Sequence, residues 1–324
     1  MARGHRQGRN QDREIIDRRL RSVQLGRSVM KVGLVGLGKM GSAIAERLAS
    51  KRMAPLVWDR DPQVMQAHDD KGLRVALGPQ DIAATSDIII SIISEDSGVL
   101  DLFHGERGFL SVNVAGKLFV EMTTLQPMTA RSLATAVEAG GARIIDCPVL
   151  GSIPTVREGK LLALAGGRPE DIDRAAAVTY HLTRRVVHMG PAGSGCAMKL
   201  AVNLGMAAYL QSLSEALSLG TKQGLDLGLM LDILSEAPTA NGWLTMKKEI
   251  LKGAPGDMTM DIRTMRKDVM SALATGSLSG IAMPVSAGAL SSLAAAVASG
   301  WGDKDLAELP RFFREAMLQS YPQK

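Results

Sequence analysis

Three glycines with a characteristic spacing follow a short apolar run near the beginning of the chain. Gly36, Gly38 and Gly41 form a G-x-G-x-x-G pattern. The first glycine of such a pattern makes a tight turn, the second lets a diphosphate approach the backbone, and the third permits close packing of helix on strand. The phosphates then meet the positive end of the helix dipole. The pattern therefore predicts a dinucleotide site formed by Gly36, Leu37, Gly38, Lys39, Met40 and Gly41.

An acidic residue stands at the end of the second predicted strand, 23 residues after Gly36. There the Asp59 carboxylate would accept hydrogen bonds from the adenosine ribose and repel a 2′-phosphate. The neighbouring Arg60 would bind such a phosphate, stack on adenine, or remain a solvated surface residue, and Asp61 adds negative charge. We therefore expect NAD as the cofactor, contacted by Asp59 and Arg60, with NADP as the open alternative.

A lysine and an asparagine stand four residues apart in a predicted long helix, so Lys199 and Asn203 share one helix face. Reduction of an aldehyde by hydride produces an alkoxide, and a lysine ammonium can donate the proton that it needs. The same amine accepts the proton in the oxidation direction, and burial would lower its pKa toward the working range. Taken alone, the pair is more typical of a surface lysine and a helix-surface asparagine.

Two threonines follow another predicted strand directly. Thr123 and Thr124 come after residues 117–121, and ligands of parallel sheets gather outside the carboxyl ends of the strands. The alternative is that these hydroxyls cap a helix near Pro127.

The predicted elements that position these residues are short apolar strands and helices, which alternate along the chain as far as residue 190. This alternation predicts an α/β fold with an N-terminal Rossmann-type, doubly wound parallel sheet. A dinucleotide-binding domain is expected over residues 30–190. A helical substrate and oligomerisation domain is expected over residues 191–324, joined through a long interdomain helix. The predicted strands lie at 31–35, 55–58, 87–93, 117–121, 143–146, 161–165 and 185–187, and the helices at 41–50, 62–71, 127–139, 195–220, 226–236, 243–252, 261–276, 284–299 and 303–320.

Composition excludes several classes of protein. Hydrophobic residues make up 46% of the chain and charged residues 22%, as in soluble globular proteins. The net charge of +5 lies in residues 1–29, which hold eight arginines and three acids, so the remainder is balanced and predicts no nucleic-acid partner. The two cysteines predict neither a disulfide framework nor a metal site. No apolar run is long enough for a membrane span, and a cytoplasmic location is expected. We expect residues 1–29 to be an upstream extension, disordered or outside the native chain.

Several segments together resemble the β-hydroxyacid dehydrogenase family, which includes 3-hydroxyisobutyrate dehydrogenase, tartronate semialdehyde reductase and glyoxylate/succinic semialdehyde reductase. The first is the glycine motif, followed by Ala45 and Leu48. Residues 121–127 are similar to the family's Asp-Met-Ser-Thr-x-x-Pro, and residues 146–152 with Gly159 to its Asp-Ala-Pro-Val-Ser-Gly-Gly substrate loop. Residues 190–203 resemble its catalytic helix and residues 267–268 its late Lys-Asp pair. Residues 300–305 are similar to its C-terminal Gly-x-Gly-Asp-x-Asp.

The resemblance implies a role for each matching residue. Lys199 would be the general acid and base, and Thr124 and Lys267 would contact the cofactor. The substrate would be a small anionic hydroxy acid or semialdehyde carboxylate. Asp146 and Asp268 would be structural. Homodimers or homotetramers are implied. The residues that would hold the substrate are Thr123, Gly151, Ser152 and Asn203.

The sequence departs from the family pattern at four positions. Leu150 replaces a serine and Ser152 a glycine of the substrate loop, Val202 replaces an asparagine, and Met260 stands where phenylalanine is usual. Two alternative functions stay open: an imine reductase, and a non-catalytic, cofactor-binding interaction module.

Lys199 speaks against both, because related proteins of either kind usually lack this lysine.

Overall fold

The computed structural model describes residues 30–256 and 258–320. The arginine-rich segment 1–29, for which we predicted an upstream extension, lies outside the described residues. Strands and helices alternate as far as residue 190, as the sequence predicts. The strands are β1 Val32–Val35, β2 Leu56–Trp58, β3 Arg74–Val75, β4 Ile88–Ser91, β5 Leu118–Glu121, β6 Arg143–Asp146, β7 Val149–Leu150, β8 Leu161–Gly166 and β9 Thr183–Gly190.

All of these strands belong to one mixed sheet. Its first six strands run parallel in the order β3-β2-β1-β4-β5-β6, which is the strand order of dinucleotide-binding folds. Strand β8 then returns antiparallel to β6 and β7, and β9 pairs with β8 in parallel. The prediction of a doubly wound, mostly parallel sheet is confirmed.

Helices cover the sheet and then follow one another after residue 190. Among the described residues, no helix is both long enough and apolar enough to cross a membrane. The helices are α1 Lys39–Ser50, α2 Pro62–Asp69, α3 Pro79–Thr85, α4 Asp96–His104, α5 Pro127–Ala139, α6 Ile153–Arg157, α7 Pro169–Thr179, α8 Ser194–Lys222, α9 Leu227–Glu236, α10 Gly242–Leu251, α11 Ile262–Leu278, α12 Pro284–Ala298 and α13 Leu309–Ser320.

Apolar side chains fill both faces of the sheet, and this burial leaves one polar edge. On one face, the rings of Phe103, Phe109 and Phe119 pack with centroids 5.0–5.2 Å apart. Because both faces are covered, β4 and β5 are buried along their whole length. Polar residues appear where β4 and β5 end, at Ser91 and Glu121, so the carboxyl ends of the parallel strands are where chemistry can take place.

Helix α8 connects this edge with the helical part of the chain. It contains 29 residues, which corresponds to a length of about 43 Å at the helical rise of 1.5 Å per residue. It packs on β8, β9 and β6 and also on α11, α12 and α13. Farther along, Leu210 of α8 shares an apolar cluster with Val269 and Leu293. The side chains on α8 are therefore held relative to both the sheet and the other helices.

The predicted helix at 303–320 is wrong at its beginning. A short 3-10 turn, Leu306–Glu308, precedes α13, because the Asp305 carboxylate accepts a hydrogen bond from the Ala307 amide (2.9 Å) and fixes a separate turn. The sequence interpretation also missed β3 and β7, which are two residues long and too short to show a period. Helices α3, α4, α6 and α7 were missed as well, although three of them begin at a proline in the first turn.

Candidate active site

The three glycines form the predicted tight turn between β1 and α1. Gly36 has a φ of +92°, and a Cβ there would collide with the Ile92 carbonyl oxygen. A Cβ at Gly41 would collide with the Gly36 carbonyl oxygen, so only glycine lets α1 begin this close to the strand. In contrast, a Cβ at Gly38 would meet nothing within 4 Å. The turn is therefore closed on the protein side and open on the outer side.

The beginning of α1 fits a diphosphate. No side chain caps this helix, whose N-cap residue is Gly38, so its first amides and the positive end of its dipole face the open side of the turn. Lys39 is exposed, and its ammonium donates to the sulfur of Met258 (2.8 Å). Leu37 is buried and Met40 is partly buried against the sheet. The backbone here would hold a dinucleotide, and Lys39 places an exposed cation within the same turn.

Asp59 supports the glycine turn directly. Its carboxylate accepts hydrogen bonds from the amide of Leu37 (2.7 Å) and from that of Asp61 (3.0 Å). Arg60 is exposed beside it. Asp61 has a different task, since its carboxylate caps α2 by accepting from the Gln63 amide (2.9 Å). Asp59 therefore fixes the loop and retains lone pairs that a ribose hydroxyl would use.

The Lys199 side chain lies buried beside the loop that follows β7. Only 8% of the residue is exposed, and its ammonium donates to the Val149 carbonyl oxygen (3.0 Å). Burial lowers the pKa of Lys199, the nearby Lys267 cation lowers it further, and the Asp268 carboxylate opposes both effects. A lysine with this environment can exist in both protonation states closer to neutral pH than an exposed lysine can.

Asp146 fixes the beginning of the helix that carries Lys199. Its carboxylate accepts from the Gly193 amide (2.7 Å) and from the Cys196 amide (2.8 Å). Gly193, the N-cap of α8, provides no side-chain cap and has a φ of +88°. A Cβ at Gly195 would collide with the Leu164 carbonyl oxygen. Asp146 thus replaces the missing cap from the end of β6, and it places Lys199 one turn farther along α8.

A second set of contacts joins α8, α11 and the loop after β5. The Asn203 amide donates to the Asp268 carboxylate, and the Lys267 ammonium lies 2.7 Å from the other oxygen of that carboxylate. Lys267 also donates to the Thr124 carbonyl oxygen (2.8 Å). The structure therefore brings Asn203, Lys267 and Thr124 together around the buried Asp268, with Lys199 four residues before Asn203 on the same helix.

The residues of the expected substrate loop lie directly after β7. Gly151 has a φ of +143°, and a Cβ there would collide with Leu161. Ser152 precedes α6, and its hydroxyl lies 3.1 Å from the Thr155 hydroxyl. Leu150, which ends β7, is partly buried. Because Val149 of the same short strand contacts Lys199, this loop and the lysine belong to one site.

Sequence reasoning assigned no role to Glu121, the last residue of β5. Its side chain is fully buried and accepts hydrogen bonds from the Ser91 hydroxyl (2.6 Å) and the Thr123 amide (2.8 Å). Burial raises its pKa to about 7, although these hydrogen bonds oppose the shift. A glutamate that ends an otherwise apolar strand, LFVE, is the signal that would have identified it.

Comparisons with known proteins agree with this geometry. Residues 31–190 match the family model described as the NAD binding domain of 6-phosphogluconate dehydrogenase. Residues 193–313 match the model described as the NAD-binding region of NADP-dependent 3-hydroxyisobutyrate dehydrogenase. Glyoxylate/succinic semialdehyde reductase 1 of Arabidopsis thaliana is 28% identical over 289 residues, which cover 88% of this chain and 100% of that protein.

Two further proteins extend the comparison. The mitochondrial 3-hydroxyisobutyrate dehydrogenase of Bos taurus is 31% identical over 63% of this chain and 61% of its own length. The structure of the Mycobacterium tuberculosis 3-hydroxyisobutyrate dehydrogenase with L-serine has a TM-score of 0.77 at 22% identity, and it covers 89% of this chain and 100% of that one. The two family models together span nearly all of residues 31–313, and the chain belongs to the β-hydroxyacid dehydrogenase family of NAD(P)-dependent oxidoreductases.

Proposed function

We propose that the protein interconverts a small β-hydroxy acid and the corresponding semialdehyde carboxylate, with Lys199 as the general acid and base. The observation that carries this proposal is the buried Lys199 ammonium, which contacts the carbonyl oxygen of Val149 beside the expected substrate loop. Its lowered pKa supports proton transfer in both directions. The relatives that act on 3-hydroxyisobutyrate, glyoxylate or succinic semialdehyde support this class of substrate.

Each residue would have a defined task in this reaction. The bound nicotinamide would supply or accept the hydride. Lys199 would donate a proton to the substrate oxygen during reduction and remove it during oxidation. The substrate carboxylate would be held by Thr123, Gly151, Ser152 and Asn203. The cofactor would be held by Gly36–Gly41, Asp59, Arg60, Thr124 and Lys267. NAD is the proposed cofactor because the Asp59 carboxylate would face the 2′ position of the ribose.

The decisive experiment compares Lys199→Ala with the wild-type protein. Substrates to be tested are 3-hydroxyisobutyrate, glyoxylate, succinic semialdehyde, tartronate semialdehyde and L-serine, each with NAD and NADP in the matching redox state. We expect Lys199→Ala to lower kcat by about 10²–10⁴-fold, the usual contribution of general acid–base catalysis. Lys71→Ala is the control, because Lys71 is exposed and its ion pair among the described residues is with Glu46, away from Lys199 in the chain. Wild-type turnover by Lys199→Ala would refute the proposed mechanism.

The same preparation separates the alternative functions. Reduction of a cyclic imine without turnover of any hydroxy acid would favour imine reduction over the proposed reaction. Binding of duplex DNA at physiological salt, without turnover, would favour an interaction module. We also propose a cytoplasmic location, which the two free, buried cysteines support. The proposed domain division at residues 190–191 is tested by limited proteolysis between β9 and α8.

A further inference from the structure

A row of polar side chains crosses the ends of three neighbouring parallel strands. Ser91 of β4 pairs in register with Glu121 of β5, and Glu121 pairs in register with Asp146 of β6. Side chains at the same register position of adjacent parallel strands lie on the same face of the sheet. All three are buried. Both carboxylate oxygens of Asp146 accept hydrogen bonds from amides of α8, whereas the proposed mechanism leaves Glu121 without a task.

No positive charge compensates Glu121. Among the described residues, no basic side chain forms an ion pair with it, and Asp96 of α4 acts on it as a second negative charge. The Asp146 carboxylate of β6 lines the same cavity, where its oxygens accept hydrogen bonds from amides of α8. The other groups that face Glu121 are neutral: the hydroxyl of Ser91, the thiol of Cys196 on α8, whose pKa burial raises, and the apolar side chains of α5. A carboxyl group in such surroundings takes up a proton far more readily than an exposed one does.

Under the proposed function, the hydroxyl of Thr123 links this carboxyl group to the substrate. Its oxygen accepts a hydrogen bond from the Ile93 amide (2.9 Å), and the amide of the same residue donates to Glu121 (2.8 Å), so the hydroxyl lies within reach of the carboxyl group. A threonine hydroxyl has one hydrogen and two acceptor positions. When Glu121 is ionised, that hydrogen points to Glu121, and the hydroxyl has only a lone pair left for the substrate. When Glu121 is protonated, it can donate to Thr123, whose own hydrogen is then free to point outward.

We propose that Glu121 is a positioning residue that sets the direction of the Thr123 hydroxyl, so that binding of an anionic substrate is coupled to uptake of one proton by Glu121. The inference rests on the proposed function, in which Thr123 contacts the substrate carboxylate. A carboxylate needs a hydrogen-bond donor and is repelled by an acceptor lone pair. In the protonated arrangement, the Thr123 hydroxyl accepts from Ile93 and from Glu121 and donates to the substrate. Its hydrogen and both of its acceptor positions are then used.

The first test is the pH dependence of KM in the full-length enzyme with cofactor, using a hydroxy acid that the substrate panel shows to be turned over. In the wild-type protein we expect KM to rise above pH 7 with a slope that approaches tenfold per pH unit, as for a single linked proton. Glu121→Gln mimics the protonated form, since its amide nitrogen can donate permanently to Thr123, and its KM should lose this rise and keep only the pH dependence that Lys199 contributes. Parallel profiles for the two proteins would overturn the proposal.

Ser91→Ala provides a second, independent variant. It removes a hydrogen bond that stabilises the ionised carboxylate, so the rise of KM should begin at a higher pH than in the wild-type protein. A KM profile of Ser91→Ala identical to that of the wild type would contradict the role of Glu121, whether or not Glu121→Gln folds.

A direct readout is proton uptake on binding, measured with a pH indicator in weak buffer. The hydroxy acid is added to the enzyme saturated with reduced cofactor, so that a complex forms without turnover. Relative to Glu121→Gln, in which any contribution of Lys199 remains, the wild-type protein should take up about half a proton more per site at pH 7 and close to one proton more at pH 8. Equal uptake overturns the inference alone. Absence of turnover with every substrate of the panel defeats the proposed function instead.

Discussion

Asp146 shows how one carboxylate can position a lysine that it does not touch, here Lys199, the proposed general acid and base. The first amides of a helix need acceptors, and Gly193 at the beginning of α8 has no side chain to provide one. Asp146 accepts two of these amides from a neighbouring strand, and its negative charge interacts favourably with the helix dipole. The cap is therefore also the connection between the sheet and Lys199.

Replacing Asp146 should affect both stability and catalysis. We expect Asp146→Ala to lower the free energy of unfolding by about 1–2 kcal/mol, the usual cost of a lost cap with buried donors. Because α8 loses its attachment to β6, kcat should fall as Lys199 moves from Val149. Urea denaturation and steady-state kinetics measure the two effects.

Asp226→Ala is the matched control for Asp146→Ala. Asp226 caps α9 by accepting from the Leu229 amide (2.8 Å), but it is exposed and lies outside the candidate site. This variant should lose about 0.5–1 kcal/mol, as for an exposed cap, and keep its kcat. Equal losses of kcat in both variants would mean that Asp146 acts only through general stability.

At the scale of secondary-structure elements, the glycine turn separates packing from ligand binding. Gly41 has no room for a side chain, whereas Gly38 faces open space. Gly38 also has a φ of −61°, which alanine adopts without strain. The same type of residue is therefore required for two different reasons within one turn.

The two glycines should respond differently to alanine. Gly38→Ala should leave the melting temperature nearly unchanged but raise the Kd for NADH about tenfold or more, because the new methyl group stands where a diphosphate must approach the backbone. Gly41→Ala should destabilise the fold by about 1–3 kcal/mol through overpacking against Gly36. Fluorescence titration and thermal unfolding measure these effects. A Gly38→Ala variant with the wild-type Kd would contradict placement of the diphosphate at this turn.

The elements were largely predictable because their signals are local. The apolar run before Gly36 and the spacing of Lys199 and Asn203 gave correct elements and a shared helix face. The contacts of Asp268 were not predictable, because they join residues 65 positions apart in the chain. Glu121 was missed for a similar reason: the composition of β5 indicates a buried strand, but only the neighbouring strand supplies the Ser91 hydroxyl that makes its last residue a polar site.

At the scale of the whole molecule, the charge distribution identifies one candidate protein–protein interface. Charged residues occur throughout the chain, but none occurs from Val269 to Gly302, which covers the end of α11 and all of α12. Several large apolar side chains of this segment are exposed. They are Met270, Leu278, Ile281 and Val285. An uncharged surface with several exposed large apolar residues is typical of a protein–protein interface.

This surface supports the homodimer or homotetramer that the family resemblance implies, and it can be tested. Light scattering coupled to size exclusion at about 10 µM, a concentration at which a nanomolar interface is saturated, should give twice or four times the mass of the chain. The double variant Leu278→Lys and Val285→Lys should give a smaller assembly, because two charges would have to be buried at the interface without partners. Leu77→Lys is the control, since Leu77 is 86% exposed but lies among the strands and helices of the sheet. A monomeric wild-type protein would refute the oligomer. An oligomer that the double variant retains would exclude this surface as the interface.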